Sequence, residues 1–471
     1  MFNFLTFCDI FRKVIRKMNI LNGNGRTKLL WVFFFIFNLL FTVAVIKLPA
    51  QIADFSSNLS QFKLRNGLQV ILYEDSSVPL VSVVVAYSVG SINDPENKPG
   101  LAFFMQHLMF QGSRNVGPMQ HITYIQNIGG ELNAATTFDK TFFYETVPAN
   151  QLGLVLWLES DRMSFLEINE AAVDRIKEML INNERQRNLQ EPYTRYFFLI
   201  DQILFPDSYY GHTLPGSEEA IKSFSLEEII DFYKRYYVPN NAVLCISGDI
   251  RPDKVKELVT RYFETIPRGP EINSSLFSNL KLSFSARDQI IYDSMISIPA
   301  LQFGIRFDDW QPEDRLLFKT LEYILLNGRT SRLYNRLGDK ERLALYLTGG
   351  LDERRPYLSL KLFLLANNKT MIDRSKKIIQ EEFSRLKNEM ISEMEMDKIR
   401  NRYKFNLVNR FAGTNLSRSL ALAESYLSDG KLPDPVAELS SLDKITPYSI
   451  LSLSRRFLKE EKYCFITILP R

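Results

Sequence analysis

The sequence predicts an α+β chain of two homologous domains, each a mostly antiparallel sheet with helices packed on one face. Three observations carry this. Asn66-Gly67 lies between apolar-rich runs in FKLRNGLQVILYED, residues 62–75, a strong hairpin signal. VPLVSVVVAYSVGS, residues 78–91, has the length and β-branching of a buried strand. The second half then repeats the first at an offset of about 220 residues, too long for a solenoid and right for a duplicated domain. SIPALQFGIRFDDW from Ser297 echoes the strand that follows Ser77. TPYSILSLSRRFLKEEKYCFITIL from Thr446 echoes SLEEIIDFYKRYYVPNNAVLCISGD from Ser225.

The elements follow in order. A helix is expected over 100–112, then two Thr- and aromatic-rich strands in GGELNAATTFDKTFFYETVP, residues 129–148. Helical sequence runs from QLGLVLWLESDRMS to about Gln190. A helix, a turn at Pro239-Asn240 and a strand fill 225–249. RGPEINSS, residues 268–275, has linker composition. The expected division is a leader at 1–50, a first domain at 59–267, the linker at 268–275 and a second domain at 276–471.

The net charge of +4 is misleading, because residues 1–50 carry seven Lys/Arg against the single acid Asp9. The rest of the chain is slightly acidic, which argues against nucleic-acid binding. The basic leader precedes LLWVFFFIFNLLFTVAVI, residues 29–46, a run without charge. It reads as a secretory signal or as an uncleaved anchor, so the protein is expected to be exported, periplasmic or held at the inner membrane in a bacterial cell. Met18 offers an alternative start. Cys8, Cys245 and Cys464 form no C-x-x-C spacing. The last two read as small buried hydrophobes rather than a disulfide or a zinc knuckle.

The chemistry concentrates in GLAFFMQHLMFQGS, residues 100–113. On a helix Phe103, Gln106 and His107 stand at i, i+3 and i+4 and share a face. That spacing suits two imidazoles on one metal ion, with a carboxylate beside the bound water. Phe103 has no lone pair to ligate with, and Gln106 cannot take a proton from water. Only His107 meets its requirement.

These residues resemble the pitrilysin/insulinase family of zinc peptidases, of the mitochondrial-processing-peptidase type, whose helix carries the inverted motif H-x-x-E-H. VGSINDPENKPGLA, GGELNAATTFDKTFFY, YYGHTLPGSEEAIKSFS, YYVPNNAVLCISGDI and GRTSRLYNRLGDKERLALY extend the resemblance over nearly the whole chain after the leader. The resemblance implies that His107 and Glu184 stand at ligand positions, Phe103 at the missing ligand, Gln106 at the general base and Lys177 at a family glutamate. It implies peptide binding along the strand that carries Asn133, Ala134 and Thr136, by addition of a backbone strand. The family's arginine–tyrosine pair falls on Gly338 and Leu345 and looks absent, with Tyr346 one residue away. His121 and His212 are the remaining histidines that could substitute as ligands; the blander reading is a solvent-facing or locally bonded role for each.

The expected function is a non-catalytic family member that binds a peptide or unfolded polypeptide, or serves as partner subunit of a proteolytic complex. The alternatives are an active zinc endopeptidase with a non-standard site and a purely structural subunit. A homologous subunit, in a homo- or heterodimer, is the partner the resemblance implies. The membrane is a further contact if residues 29–46 stay attached. No cofactor is expected, zinc being the one ion whose residual ligand positions survive.

Overall fold

The computed structural model describes residues 55–95, 98–191, 193–196, 198–206, 208–272, 282, 287–354 and 356–471. The leader at 1–50, with its apolar run, lies outside the described residues, as do residues 273–275 of the expected linker. Among the described residues no helix is long and apolar enough to cross a membrane.

Eleven strands are described, in two sheets. The first holds β1 (Leu59–Lys63), β2 (Gln69–Glu74), β3 (Leu80–Tyr87), β4 (Glu131–Thr136), β5 (Thr141–Pro148) and β6 (Ala242–Gly248), in the order β1-β2-β6-β3-β5-β4. The second holds β7 (Arg287–Asp293), β8 (Ala300–Phe307), β9 (Tyr346–Arg354), β10 (Tyr357–Leu365) and β11 (Cys464–Pro470), in the order β7-β11-β8-β10-β9. Removing β1 makes the two orders superimpose. Even the one parallel pair recurs, β2 with β6 and β7 with β11, all other pairs being antiparallel. The repeat read from the sequence is therefore a repeat of topology.

The helices of the first half are α1 (Leu101–Leu108), α2 (Gln120–Asn127), α3 (Leu152–Phe165), α4 (Glu170–Gln190), α5 (Leu199–Leu204), α6 (Glu218–Ser223), α7 (Leu226–Tyr236) and α8 (Pro252–Phe263). Those of the second, a single turn at Arg332–Tyr334 aside, are α9 (Arg315–Leu325), α10 (Lys369–Asn388), α11 (Glu393–Ala412), α12 (Asn415–Asp429), α13 (Pro435–Asp443) and α14 (Pro447–Phe457). Ser225 caps α7 in a capping box with Glu228, and Asn169, Asn368, Ser392 and Thr446 cap α4, α10, α11 and α14. Each half's own helices cover one face of its sheet. In the first half Val70, Leu72, Val81, Val83, Val85, Leu244 and Ile246 alternate onto that face, against Phe104, Leu108, Val155, Leu156, Ile229 and Val259.

The opposite faces are covered by exchange. Helix α12, from the second half, lies on β3 and β6 of the first sheet, while α5, from the first half, lies on β8 and β11 of the second. The first contact is polar and small: Ser419 bonds Ser247 side chain to side chain at 2.8 Å, and Arg418 pairs with Asp75 at 3.0 Å. The second is apolar and depends on Gly304, where an added Cβ would come within 2.6 Å of Ile200 and 2.9 Å of Leu204. Beside it Arg354, wholly buried, pairs with Asp201 of α5 at 2.7 Å. Covering both faces explains why β3, β6, β8 and β11 are buried along almost their whole length. Residues 56–471 accordingly form one compact unit. Cys245 and Cys464 lie buried in β6 and β11 as free thiols.

Candidate functional site

Helix α1 is set by the loop before it. Gly100 precedes the helix at φ 105°, the left-handed region, and a Cβ there would meet the Pro215 carbonyl at 2.3 Å. The buried Asp94 carboxylate accepts from the backbone N–H of Gly100 at 2.7 Å and of Ala102 at 2.8 Å, capping the first turn. Leu101, Ala102, Phe104, Met105 and Leu108 enter the core. The face left over carries Phe103, Gln106 and His107, all half-buried, and packs toward α4 and β4.

On that face Phe103 meets the His107 ring edge to face, with centroids 4.9 Å apart. His107 Nε2 is buried and has no hydrogen-bond partner, and burial lowers its pKa, so the ring is neutral. Gln106 Nε2 donates to the Ala134 carbonyl at 3.4 Å, while Gln106 Oε1 is buried without a partner. Two orphaned polar atoms side by side are uncommon in a folded core.

Among the described residues strand β4 is the last strand of its sheet and pairs only with β5. Asn133 is exposed, Ala134 half-buried and Thr136 buried. Two backbone groups of Ala134 are occupied by side chains: its N–H donates to Asn133 Oδ1 at 2.8 Å, and its carbonyl accepts from Gln106. Thr136 touches Thr141 of β5, hydroxyl to hydroxyl, at 3.4 Å. The sequence placed these residues on a peptide-binding strand; the fold makes that strand an open edge with short side-chain caps.

The other site positions each have contacts of their own. Glu184, on α4, forms an ion pair with Arg187 one turn on. Lys177 turns to the C-terminal end of α6, where its ammonium donates to the carbonyls of Phe224 at 2.7 Å and Lys222 at 3.3 Å. Its charge is thus absorbed by a helix end. His212 is exposed, and His121 is buried against Glu145. Leu345 and Tyr346 are exposed at the start of β9.

Zinc does not fit the α1 face. Among the described residues His107 joins no group of three His, Cys, Asp or Glu donors. The neighbour one turn back is a phenyl ring, and an amide stands where a water-activating carboxylate would be required. A catalytic zinc centre needs three protein ligands.

A second cluster escaped the sequence reading: His121, Glu145 and Glu159, with Arg162 beside them, all buried. Its signal was present. Glu145 interrupts an aromatic strand, and Glu159 and Arg162 sit one turn apart just after the apolar run LGLVLWL of their helix.

Comparison with known proteins places these observations. Residues 69–213 match the family described as Insulinase (Peptidase family M16), and residues 223–403 match its Peptidase M16 inactive domain. The latter description attaches to a span that begins well past α1. A relative from Helicobacter pylori, named zinc protease PqqE, is 27% identical over 362 residues, which are 75% of this chain and 80% of the relative. The crystal structure of a protease from Helicobacter pylori covers 88% of this chain and 99% of its own, with a TM-score of 0.81 at 22% identity. The periplasmic protease PqqL from Escherichia coli covers 88% of this chain at a TM-score of 0.72 and 19% identity; the match spans 47% of that protein. At these identities the two structures show a shared fold.

Proposed function

Because this chain belongs to peptidase family M16, the insulinase family, we propose that it is a non-catalytic member that holds a polypeptide strand against β4. The observation that carries this is the α1 face. Phe103 and Gln106 remove a ligand and a base, and what remains is a pair of buried polar atoms without partners, on Gln106 and His107, beside an open sheet edge. Losing a general base alone costs a peptidase about 10²–10⁴ in rate. Losing a ligand as well removes the ion that would activate water.

An incoming strand would take over the Ala134 N–H and carbonyl from Asn133 and Gln106, in the β-addition mode. Its backbone amides would supply the donor that Gln106 Oε1 lacks. Ala134 sets register, and exposed Asn133 flanks the bound strand. The relative named a zinc protease favours zinc chemistry in this family, and Phe103 and Gln106 on α1 are the residues of this chain that do not suit it.

The working unit is a pair: this chain, with domains at residues 59–267 and 276–471, and a homologous subunit that carries an intact zinc helix. Residues 29–46 carry the chain out of the cytoplasm, as a cleaved signal or an anchor.

The test is amide hydrogen exchange on the purified full chain, with and without a reduced, unfolded polypeptide. Slower exchange confined to β4 and its neighbours, with the polypeptide left uncut, is the expected result. Zinc-dependent cleavage, or no protection at β4, would overturn the proposal.

A further inference from the structure

Behind the edge strand three elements meet at one buried polar cluster. His121 comes from α2, Glu145 from β5, and Glu159 with Arg162 from α3. A nitrogen of His121 and an oxygen of each carboxyl lie within 4.8 Å of one another. None of the four residues is more than 4% exposed. His121 Nε2 stands 2.5 Å from Glu145 Oε1. The Arg162 guanidinium pairs with Glu159 and lies over the Phe143 and Phe110 rings, 4.3 and 5.1 Å from their centroids. The two carboxyls contact each other, and the Oε2 atom of each has no N–H donor.

The other ionisable groups facing the cluster are phenols: Tyr87 of β3, Tyr233 of α7 and Tyr237 just beyond it. Burial holds all three protonated, and the Tyr233 hydroxyl is shared between the carbonyls of Arg162 and Met163. Asp161, next in sequence, turns away to Ser113 and Asn115.

By donor type the cluster could pass for a metal centre. The geometry argues otherwise. Ligands about 2.0–2.2 Å from one tetrahedral ion stand more than about 3 Å apart, whereas His121 and Glu145 are in direct hydrogen-bond contact. A divalent ion would also sit against the Arg162 charge. Two carboxylates facing one guanidinium leave one negative charge uncompensated in an apolar enclosure, a cost that proteins avoid by binding a proton.

We infer that Glu145 and Glu159 share one proton, with Arg162 charged and His121 neutral, and that this proton locks α2, α3 and β5 together behind β4. The charges then cancel inside the cluster. Burial raises the affinity of both carboxyls for protons and pushes His121 down to about 3. The proton belongs to the pair rather than to either residue. Alkaline pH removes it, leaves a buried negative charge beside β5, and loosens the strand that backs the peptide edge.

Above about pH 5.5 both glutamates are ionised in the unfolded chain, while the folded chain keeps one proton. The folding constant therefore falls with rising pH, by up to about tenfold per unit, until the shared proton leaves. In Glu159→Gln no proton is shared, so the ratio of wild-type to variant folding constants should fall over that range. A flat ratio overturns the inference. If the variant does not fold, wild type alone decides. The infrared difference spectrum of protein carrying labelled glutamate should show a protonated carboxyl near pH 6 that disappears on alkalinisation, while β4 and β5 amides begin to exchange faster. Absence of that band, or β4–β5 protection unchanged as it disappears, overturns it. So does one equivalent of zinc that wild type retains and Glu145→Gln loses.

Discussion

Helices α1 and α9 occupy matching places in the two halves, each following one of the matched strands β3 and β8 and packing against a long helix, α4 or α11. Their polar faces are treated differently. On α9 the Tyr323 hydroxyl accepts from Asn406 of α11 at 2.7 Å, and its ring lies 5.2 Å from that of Tyr403. Tyr403 in turn donates to Glu438 of α13, and Lys319 approaches the same carboxylate at 3.8 Å. On α1 no such chain forms: Gln106 reaches one backbone carbonyl, and His107 Nε2 reaches nothing. An unsatisfied buried group costs about 1–3 kcal/mol; on α9 the one such atom among the described residues is Arg315 Nε, on a guanidinium already paired with Glu353 and Asp429, whereas on α1 Gln106 Oε1 and His107 Nε2 both lack partners. The contrast is what the proposed strand binding at α1 and β4 rests on.

The largest effect that would sharpen this contrast is a gain. Phe103→His with Gln106→Glu supplies the missing ligand and carboxylate on an intact helix. Among the described residues Glu184 is held by a partly exposed ion pair with Arg187, worth about 1 kcal/mol or less, which a metal ion would outweigh. Zinc affinity should rise by well over about 100-fold, more than an outer-shell change gives, as read by titration with a competing chelator. No gain would mean that α4 does not present Glu184 to α1. Adding Lys177→Glu to that pair should not improve binding, because Lys177 serves α6; it should instead cost about 1 kcal/mol by placing a negative charge at a helix C-terminus.

The next effect is on the exchange of helices between halves. Gly304→Val drives a side chain into Ile200 and Leu204 of α5 and should cost about 1–3 kcal/mol in urea unfolding. A neutral result would show that α5 is not seated on β8.

The smallest effect is titration of His107. Its folded pKa is depressed by burial, so its neutral form contributes stability that is present above the unfolded value, about 6.5, and is lost as pH falls toward the folded one. His121 has the same sign, so wild type should be compared with His107→Phe. The variant should lose less stability between about pH 7 and 5, by less than about 1 kcal/mol. Parallel curves would place His107 in solvent.

Much of the fold was legible, and the reasons are local. Asn66-Gly67, the β-branched run from Val78 and the two echoing helix-to-strand units announce their structures within a few residues. The exchange of α5 and α12 was not legible, because a helix chooses its sheet through packing between distant segments. Its traces are the small residues Ser82, Ser247, Ser419 and Gly304 at the contact surfaces. At the site, the spacing of Phe103, Gln106 and His107 identified a shared face correctly, since helical geometry fixes it. Lys177 could not be placed from spacing. Seven residues along α4 leave its long side chain free to reach α6. The His121 cluster went unseen because its members are scattered through the chain, from 121 to 159, and join no motif.

The central claim is that α1 keeps the family's helix and has lost its metal. The direct measurement is zinc content of the purified full chain after exhaustive dialysis, alongside His107→Ala. The account predicts far less than one equivalent in wild type and no change in the variant. One equivalent that wild type retains and His107→Ala loses would contradict it.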